Sequence, residues 1–104
     1  MKPNALDEDR LQSASLDEIH AALFGQLVSG HAQMALIFLG QLPHPETGQP
    51  GAASPAEAKL FIDQLEMLES RTRGNLSPDE ARILRQALTV TRQAFAEVMD
   101  QQID

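Results

Sequence analysis

The longest run of apolar side chains lies between Leu16 and Leu39 and contains no proline. At roughly 100° per residue its large apolar residues recur at helical spacing, which predicts one helix over about 16–39. These positions sweep over half of the helix circumference, which is wider than the single face that a surface helix buries. We therefore expect this helix to contact more than one neighbour.

Two further stretches have the apolar spacing of helices, over about 55–73 and 78–99. Ser15, Ser54 and Ser77 each precede a glutamate by three residues, which is the sequence signature of a capping box at a helix N-terminus. Ser54 and Ser77 are also followed by proline, which is favoured at the first helical position. Gly40 is the expected left-handed stop of the first helix.

The remaining segments predict how these helices are connected. Residues 1–14 are acidic and lack helical periodicity, which predicts a disordered tail. Residues 41–53 contain three prolines and predict a loop. The short junction Gly74-Asn75-Leu76 predicts an antiparallel hairpin of the second and third helices. We expect a single all-α domain over 15–100, in which a long N-terminal helix packs with this hairpin.

The wide apolar arc of the first helix predicts association between copies of the chain. A monomer would leave part of that arc exposed, and a second, smaller apolar patch lies on the outer side of the second helix. We expect a homodimer, with a higher-order assembly also open. The interface candidates are Phe24, Val28, Leu36, Ile37, Leu60 and Met67.

Composition narrows the possible partners. The net charge of −7 disfavours nucleic acid, and the absence of cysteine removes disulfides, thiolate nucleophiles and Cys-ligated zinc. The N-terminus has no signal-peptide-like apolar core. Because polar residues such as Glu18, Gln26 and Ser29 interrupt the long helix, we interpret it as too polar for a membrane span. We expect a cytoplasmic protein without nucleic-acid or membrane partners.

With no cysteine in the chain, the nitrogen ligands available for a metal ion are three histidines: His20, His31 and His44. His20 and His31 lie eleven residues apart, roughly 16 Å along a helix, so they do not chelate one ion within a chain. A site would need another helix or protomer, and ordinary hydrogen bonding is the favoured interpretation. Helix capping explains the serines, and no catalytic motif occurs, so we predict no catalytic residue and no cofactor.

Several short motifs resemble those of the bacterial family known as domain of unknown function 1844. The most specific are P-x-T-G at Pro45 to Gly48 and the junction T-R-G-N-L-S-P-D-E at Thr72 to Glu80. Further matches are Leu27-Val28, Leu39-Gly40, Pro43, Ala58-Lys59, Ile62-Asp63 and Leu65, so the resemblance spans about Phe24 to Phe95. It implies a short, soluble, mostly helical protein with no assigned activity and no catalytic residue to transfer.

Two hypotheses about function follow. The first is a non-enzymatic, homo-oligomeric interaction or assembly module that uses its helix surfaces or the proline loop to bind protein. The alternative is a metal or small-ligand binding protein that uses His20, His31 or His44 at a subunit interface. The sequence supplies no positive feature for an enzyme.

Overall fold

The computed structural model describes the backbone of residues 5–102 and the side chains of residues 16–101. Over this range the chain forms three helices and no strand: α1 (Ala5–Phe38), α2 (Pro55–Thr72) and α3 (Pro78–Gln102). Each helix contacts both of the others. The predicted all-α fold class is confirmed, and the ends of α2 and α3 lie within three residues of their predicted positions.

The first helix is longer than the sequence analysis predicted. Its backbone is helical from Ala5, whereas we expected a disordered tail over 1–14 and a helix start at Ser15; residues 1–4 lie outside the described range. Between Ala5 and Ser15 the chain has neither proline nor glycine and consists mainly of good helix formers. Ser15 is therefore inside the helix and does not occupy a cap position.

The C-terminal end of α1 is closed by Gly40, as predicted. Gly40 has a φ of 73°, and its amide donates to the Ile37 carbonyl at 3.0 Å while the Gln41 amide donates to the Leu36 carbonyl at 2.9 Å. This pair of bonds is a Schellman motif, which satisfies two of the free carbonyls at the helix end. Glycine is required here because a side chain in this left-handed conformation is strained.

The proline loop returns the chain to the end of α1 before α2 begins. The Ser54 amide donates to the Phe38 carbonyl at 2.6 Å, so the start of α2 is held at the C-terminus of α1. Within the loop, Thr47 and Gln49 exchange two hydrogen bonds of 3.2 Å, and the Gly48 amide donates to the His44 carbonyl at 2.8 Å. The expected turn at Pro45 to Gly48 is therefore present.

The two predicted capping boxes of α2 and α3 differ in outcome. At α3, the Glu80 amide donates to the Ser77 hydroxyl at 3.2 Å, and the Ser77 amide donates to the Glu80 carboxylate at 2.9 Å. This reciprocal pair confirms that box. At α2, the Ser54 side chain makes no capping hydrogen bond, so the predicted box there is wrong. The Ser54 backbone is instead committed to the contact with Phe38.

Two clusters of buried side chains join the three helices. One combines residues from the middle of α1 and α2 with the first half of α3, and the other combines the end of α1 with the start of α2 and the second half of α3. The first contains Val28, Leu65, Leu84, Ala87 and Leu88. The second contains Leu39, Ala58, Ala94 and Val98.

The core face of α3 includes one polar residue. Val90 and Met99 are 51% and 36% exposed, whereas the buried Thr91 lies in the core. The Thr91 hydroxyl donates to the Ala87 carbonyl of its own helix at 2.8 Å. A threonine can occupy a helix core because its hydroxyl finds this partner one turn back.

The exposed valine and a buried valine of α3 give a matched test of the core. Val98→Ala should lower the free energy of unfolding by roughly 2 kcal/mol, because it removes buried methyl groups and leaves a cavity. Val98 is 5% exposed and Val90 is 51% exposed, so Val90→Ala should change it by less than about 0.5 kcal/mol. Urea denaturation followed by circular dichroism measures both values, and equal effects would contradict the assigned core.

The caps allow a second comparison. Ser77→Ala should cost about 1 kcal/mol of unfolding free energy, because it leaves a helix amide without its acceptor. Ser54→Ala should cost less than about 0.5 kcal/mol, because the Ser54 hydroxyl makes no capping bond. Thermal and urea unfolding of the two variants measure these costs. A larger loss for Ser54→Ala would show that α2 is capped as the sequence predicted.

Candidate interaction surface

The largest exposed apolar side chains of α1 form a straight line along the helix. Leu16, Ile19, Leu23 and Leu27 are 53%, 51%, 54% and 49% exposed. Continuing at spacings of three and four residues, the line passes through the exposed Gly30 and the half-buried Met34 and Ile37. We call these seven residues the outer stripe. At about 100° per residue they fall within an arc of about 80°, so they face one direction.

The opposite side of α1 is the one that packs inside the chain. Val28 and Ala35 are fully buried and Leu39 is 2% exposed, while Phe24 and Leu36 are half-buried against the two core clusters. Val28 therefore does not belong among the interface candidates, because its own chain covers it completely.

A smaller apolar patch on α2 adjoins the outer stripe. Leu60 and Met67, which we call the α2 patch, are 56% and 52% exposed, as the sequence predicted. Between the two surfaces, Phe61 of α2 stacks on Phe38 and contacts the edge of His31, each with ring centroids 5.7 Å apart. Helical spacing places the stripe and the patch on either side of this aromatic contact, on the face of α1 and α2 that lies away from α3.

The three histidines lie in three different environments. His31 donates from Nδ1 to the Leu27 carbonyl at 3.1 Å and packs against Phe61. His44, half-buried in the proline loop, accepts at Nδ1 from the Glu46 amide at 3.2 Å. His20 lines an open groove beside the start of α3. No group of three or more His, Asp or Glu side chains able to hold a metal occurs within the described part of the chain.

Two grooves on the described surface border α1. One of about 540 Å³ lies between α1 and α3 and is lined mainly by small and apolar residues, among them Gly25, Ala32 and Val90. One of about 520 Å³ holds His20 with Asp17, Glu18 and Glu80. Within residues 16–101, no buried side-chain nitrogen or oxygen lacks a hydrogen-bond partner. Among the described residues, no buried polar side chain therefore has an unsatisfied hydrogen-bonding group that would indicate a bound ligand.

The clearest electrostatic effect is on the outside of α2. The Asp63 carboxylate, hydrogen-bonded to the Lys59 ammonium at 2.8 Å, raises the pKa of that lysine above its usual value. Stability from this pair is present below the ordinary lysine pKa and is lost as the pH rises through the raised one. Glu66 of α2 and Arg92 of α3 form a second exposed pair at 3.2 Å. Such pairs adjust stability slightly and do not indicate catalysis.

Part of α1 meets the length and hydropathy criteria of a membrane-spanning helix. Leu16–Phe38 is 23 residues long and contains an 18-residue window with a mean hydropathy of 1.3, of which 11% is buried; by length and composition it could cross a bilayer. Our interpretation that this helix is too polar for a span was therefore too strong. Core helices of soluble proteins and signal sequences meet the same criterion.

The model of the family described as "Domain of unknown function (DUF1844)" matches residues 21–97. The chain belongs to this family. The match includes most of the outer stripe, the α2 patch and the junction from Thr72 to Glu80, and it confirms the resemblance that these motifs indicated. No curated protein and no solved structure matches the chain significantly. Membership in DUF1844 therefore brings no activity to assign to any residue.

His31 is expected to act as a packing residue. His31→Ala should lower the free energy of unfolding by about 1 kcal/mol, because it removes the aromatic contact with Phe61 and a hydrogen bond. His20 is exposed, and His20→Ala should change stability by less than about 0.5 kcal/mol. Urea denaturation measures both. Stoichiometric zinc that is retained by the unaltered protein and lost from His31→Ala would contradict this role and favour the ligand hypothesis.

Proposed function

We propose that this DUF1844 protein is a non-enzymatic, cytoplasmic assembly module that forms homodimers through the outer stripe and the α2 patch. The observation that carries the proposal is the exposure of about half of each of Leu16, Ile19, Leu23 and Leu27. These side chains lie in one line, whereas apolar residues exposed singly on monomers are scattered. A contiguous apolar surface of this kind is typical of a protein–protein contact.

The free energy available from this surface is of the size that dimerisation needs. Full burial of a large apolar side chain contributes about 1.5–3 kcal/mol, so burying the exposed halves of six residues on each copy contributes on the order of 10 kcal/mol. Association costs roughly 4–15 kcal/mol in lost freedom of motion. The exposed halves of twelve side chains in the two copies give about 9–18 kcal/mol. The upper part of that range less a cost in the middle of the association range leaves about 8 kcal/mol, which corresponds to a micromolar dissociation constant, so we expect a dimer that dissociates on dilution.

The proposal includes the predicted hairpin of α2 and α3 as the platform for α1. The order of residues in the two core clusters supports it: Leu65 and Leu84 meet Val28, while Ala58 and Val98 meet Leu39. This order has α2 running against both other helices. Such a hairpin covers one side of α1 and leaves the outer stripe for the second copy.

Two features favour a protein partner over a bilayer for the same surface. The inner side of α1 packs on α2 and α3, which carry many charged residues, and Asp17 and Glu18 lie within the apolar segment itself. Carrying such groups into hydrocarbon is costly. A second copy buries the outer stripe while leaving these charges in water.

Sedimentation equilibrium of three proteins tests the proposal. The unaltered chain should be a dimer at 100 µM, because this protein concentration is on the order of ten times its expected dissociation constant or more. The double variant Leu23→Glu, Leu27→Glu should be a monomer with unchanged helical circular dichroism, because dimerisation would bury four carboxylates.

The control carries the same added charge on another side of α1. Ser29→Glu, Gln33→Glu alters two exposed polar positions next to the groove between α1 and α3, and it should remain a dimer. A monomeric unaltered chain at 100 µM would overturn the proposal, because a dissociation constant above about 100 µM means that the free energy of association is too small for specific assembly. A leucine variant that stays dimeric would also overturn it.

A further inference from the structure

We infer that the two copies pair antiparallel along the outer stripe, about a two-fold axis beside Leu27. This inference rests on the proposed function and specifies the partner: a second α1 running in the opposite direction. Three observations carry it, namely the order of the stripe residues, the distribution of charge along α1, and the position of the α2 patch.

The outer stripe has nearly the same spacing when it is read backwards. Under a two-fold axis beside Leu27, position 16 lies opposite position 37, position 19 opposite 34, and position 23 opposite 30. Six stripe residues of one copy therefore lie opposite stripe residues of the other, and Leu27, next to the axis, lies beside its own copy. Leu23 meets Gly30, which is exposed and whose Cβ position has open space around it, so this leucine has room to pack against the facing helix.

Charge along α1 selects the antiparallel direction. Between residues 16 and 38 the charged side chains are Asp17 and Glu18, both at the N-terminal end and with no lysine or arginine to balance them. The preceding sequence adds Asp7, Glu8 and Asp9 against Lys2 and Arg10, so the N-terminal end remains acidic. A parallel pair would gather the acidic ends of both copies, whereas an antiparallel pair separates them by about 30 Å, the length of the stripe. This distance is several times the Debye length of about 8 Å.

The α2 patch also fits the antiparallel arrangement better. The stripe is more exposed in its N-terminal half, at Leu16 and Ile19, than at Met34 and Ile37. Leu60 lies two residues after Ala58, which packs with Leu39, so along the helix axis it is level with the less exposed C-terminal half of the stripe. An antiparallel partner places its most exposed leucines there, next to Leu60. A parallel partner leaves Leu60 beside side chains that are already half-buried.

Single cysteines test this directly, because the chain has none of its own. A disulfide needs Cα atoms roughly 4.4–6.8 Å apart, which across an antiparallel pair occurs for a residue and its own copy only near the axis. Leu27→Cys should therefore form a disulfide-linked dimer under mild oxidation. Ile19→Cys should do so at least about tenfold less, because its copy lies far along the helix.

The complementary pair completes the test. An oxidised mixture of Ile19→Cys and Met34→Cys should give the mixed dimer, and Ser29→Cys, on another side of α1, should give none. All variants are first checked for helical circular dichroism and for dimers in sedimentation equilibrium. Efficient self-linking of Ile19→Cys in a dimeric protein would overturn the antiparallel direction and leave the proposed function intact. Monomers throughout would overturn both, and dimers that link at none of these stripe positions would overturn the stripe as the interface.

Discussion

Coverage of α1 is the constraint on which the rest of this molecule depends. A helix buries apolar side chains only where another helix lies against it, and α1 has large apolar residues on two sides. The two other helices, α2 with 18 residues and α3 with 25, both lie against the side that carries Val28, Ala35 and Leu39. The outer stripe remains exposed as a direct result.

The connections fix that one-sided arrangement. The Schellman motif at Gly40 and the bond from the Ser54 amide to Phe38 hold the start of α2 at the end of α1. The capping box at Ser77 starts α3 with five residues between it and the end of α2, so α3 has little freedom to move to another side of α1. The residues most specific to the family, from Thr72 to Glu80, thus have a structural role in this junction. They position the second and third helices relative to each other.

The sequence predicted the helices, their stops and the exposure of Leu60 and Met67, because these depend on local spacing, glycine and proline. It assigned the two sides of α1 less well. The periodicity showed an apolar arc wider than one buried face, but it did not indicate which half of the arc is buried within the chain. Large side chains such as the leucines looked more like core residues than the small Ala35 did. Val28 was placed at the interface for the same reason. Ser54 failed as a cap because a contact with α1, distant in sequence, determines its conformation.

A tertiary contact also explains His31. Ordinary hydrogen bonding was the favoured interpretation of this histidine from the sequence, and its contact with the ring of Phe61 across the helix pair supports a packing role. By contrast, the line from Leu16 to Leu27 was visible in the sequence at spacings of three and four residues. What hid it was the neighbouring apolar side, which merges with it into one broad arc.

Methyl contacts between copies test the central claim most directly. In a mixed sample of isotope-labelled and unlabelled chains, an isotope-filtered nuclear Overhauser experiment detects only contacts between different molecules. The account predicts such contacts for the methyl groups of Leu23 and Leu27, and none for the buried methyl groups of Val28 and Leu84. A spectrum without intermolecular contacts at Leu23 and Leu27, from a protein that shows the Val28 to Leu84 contact within each chain, would contradict it.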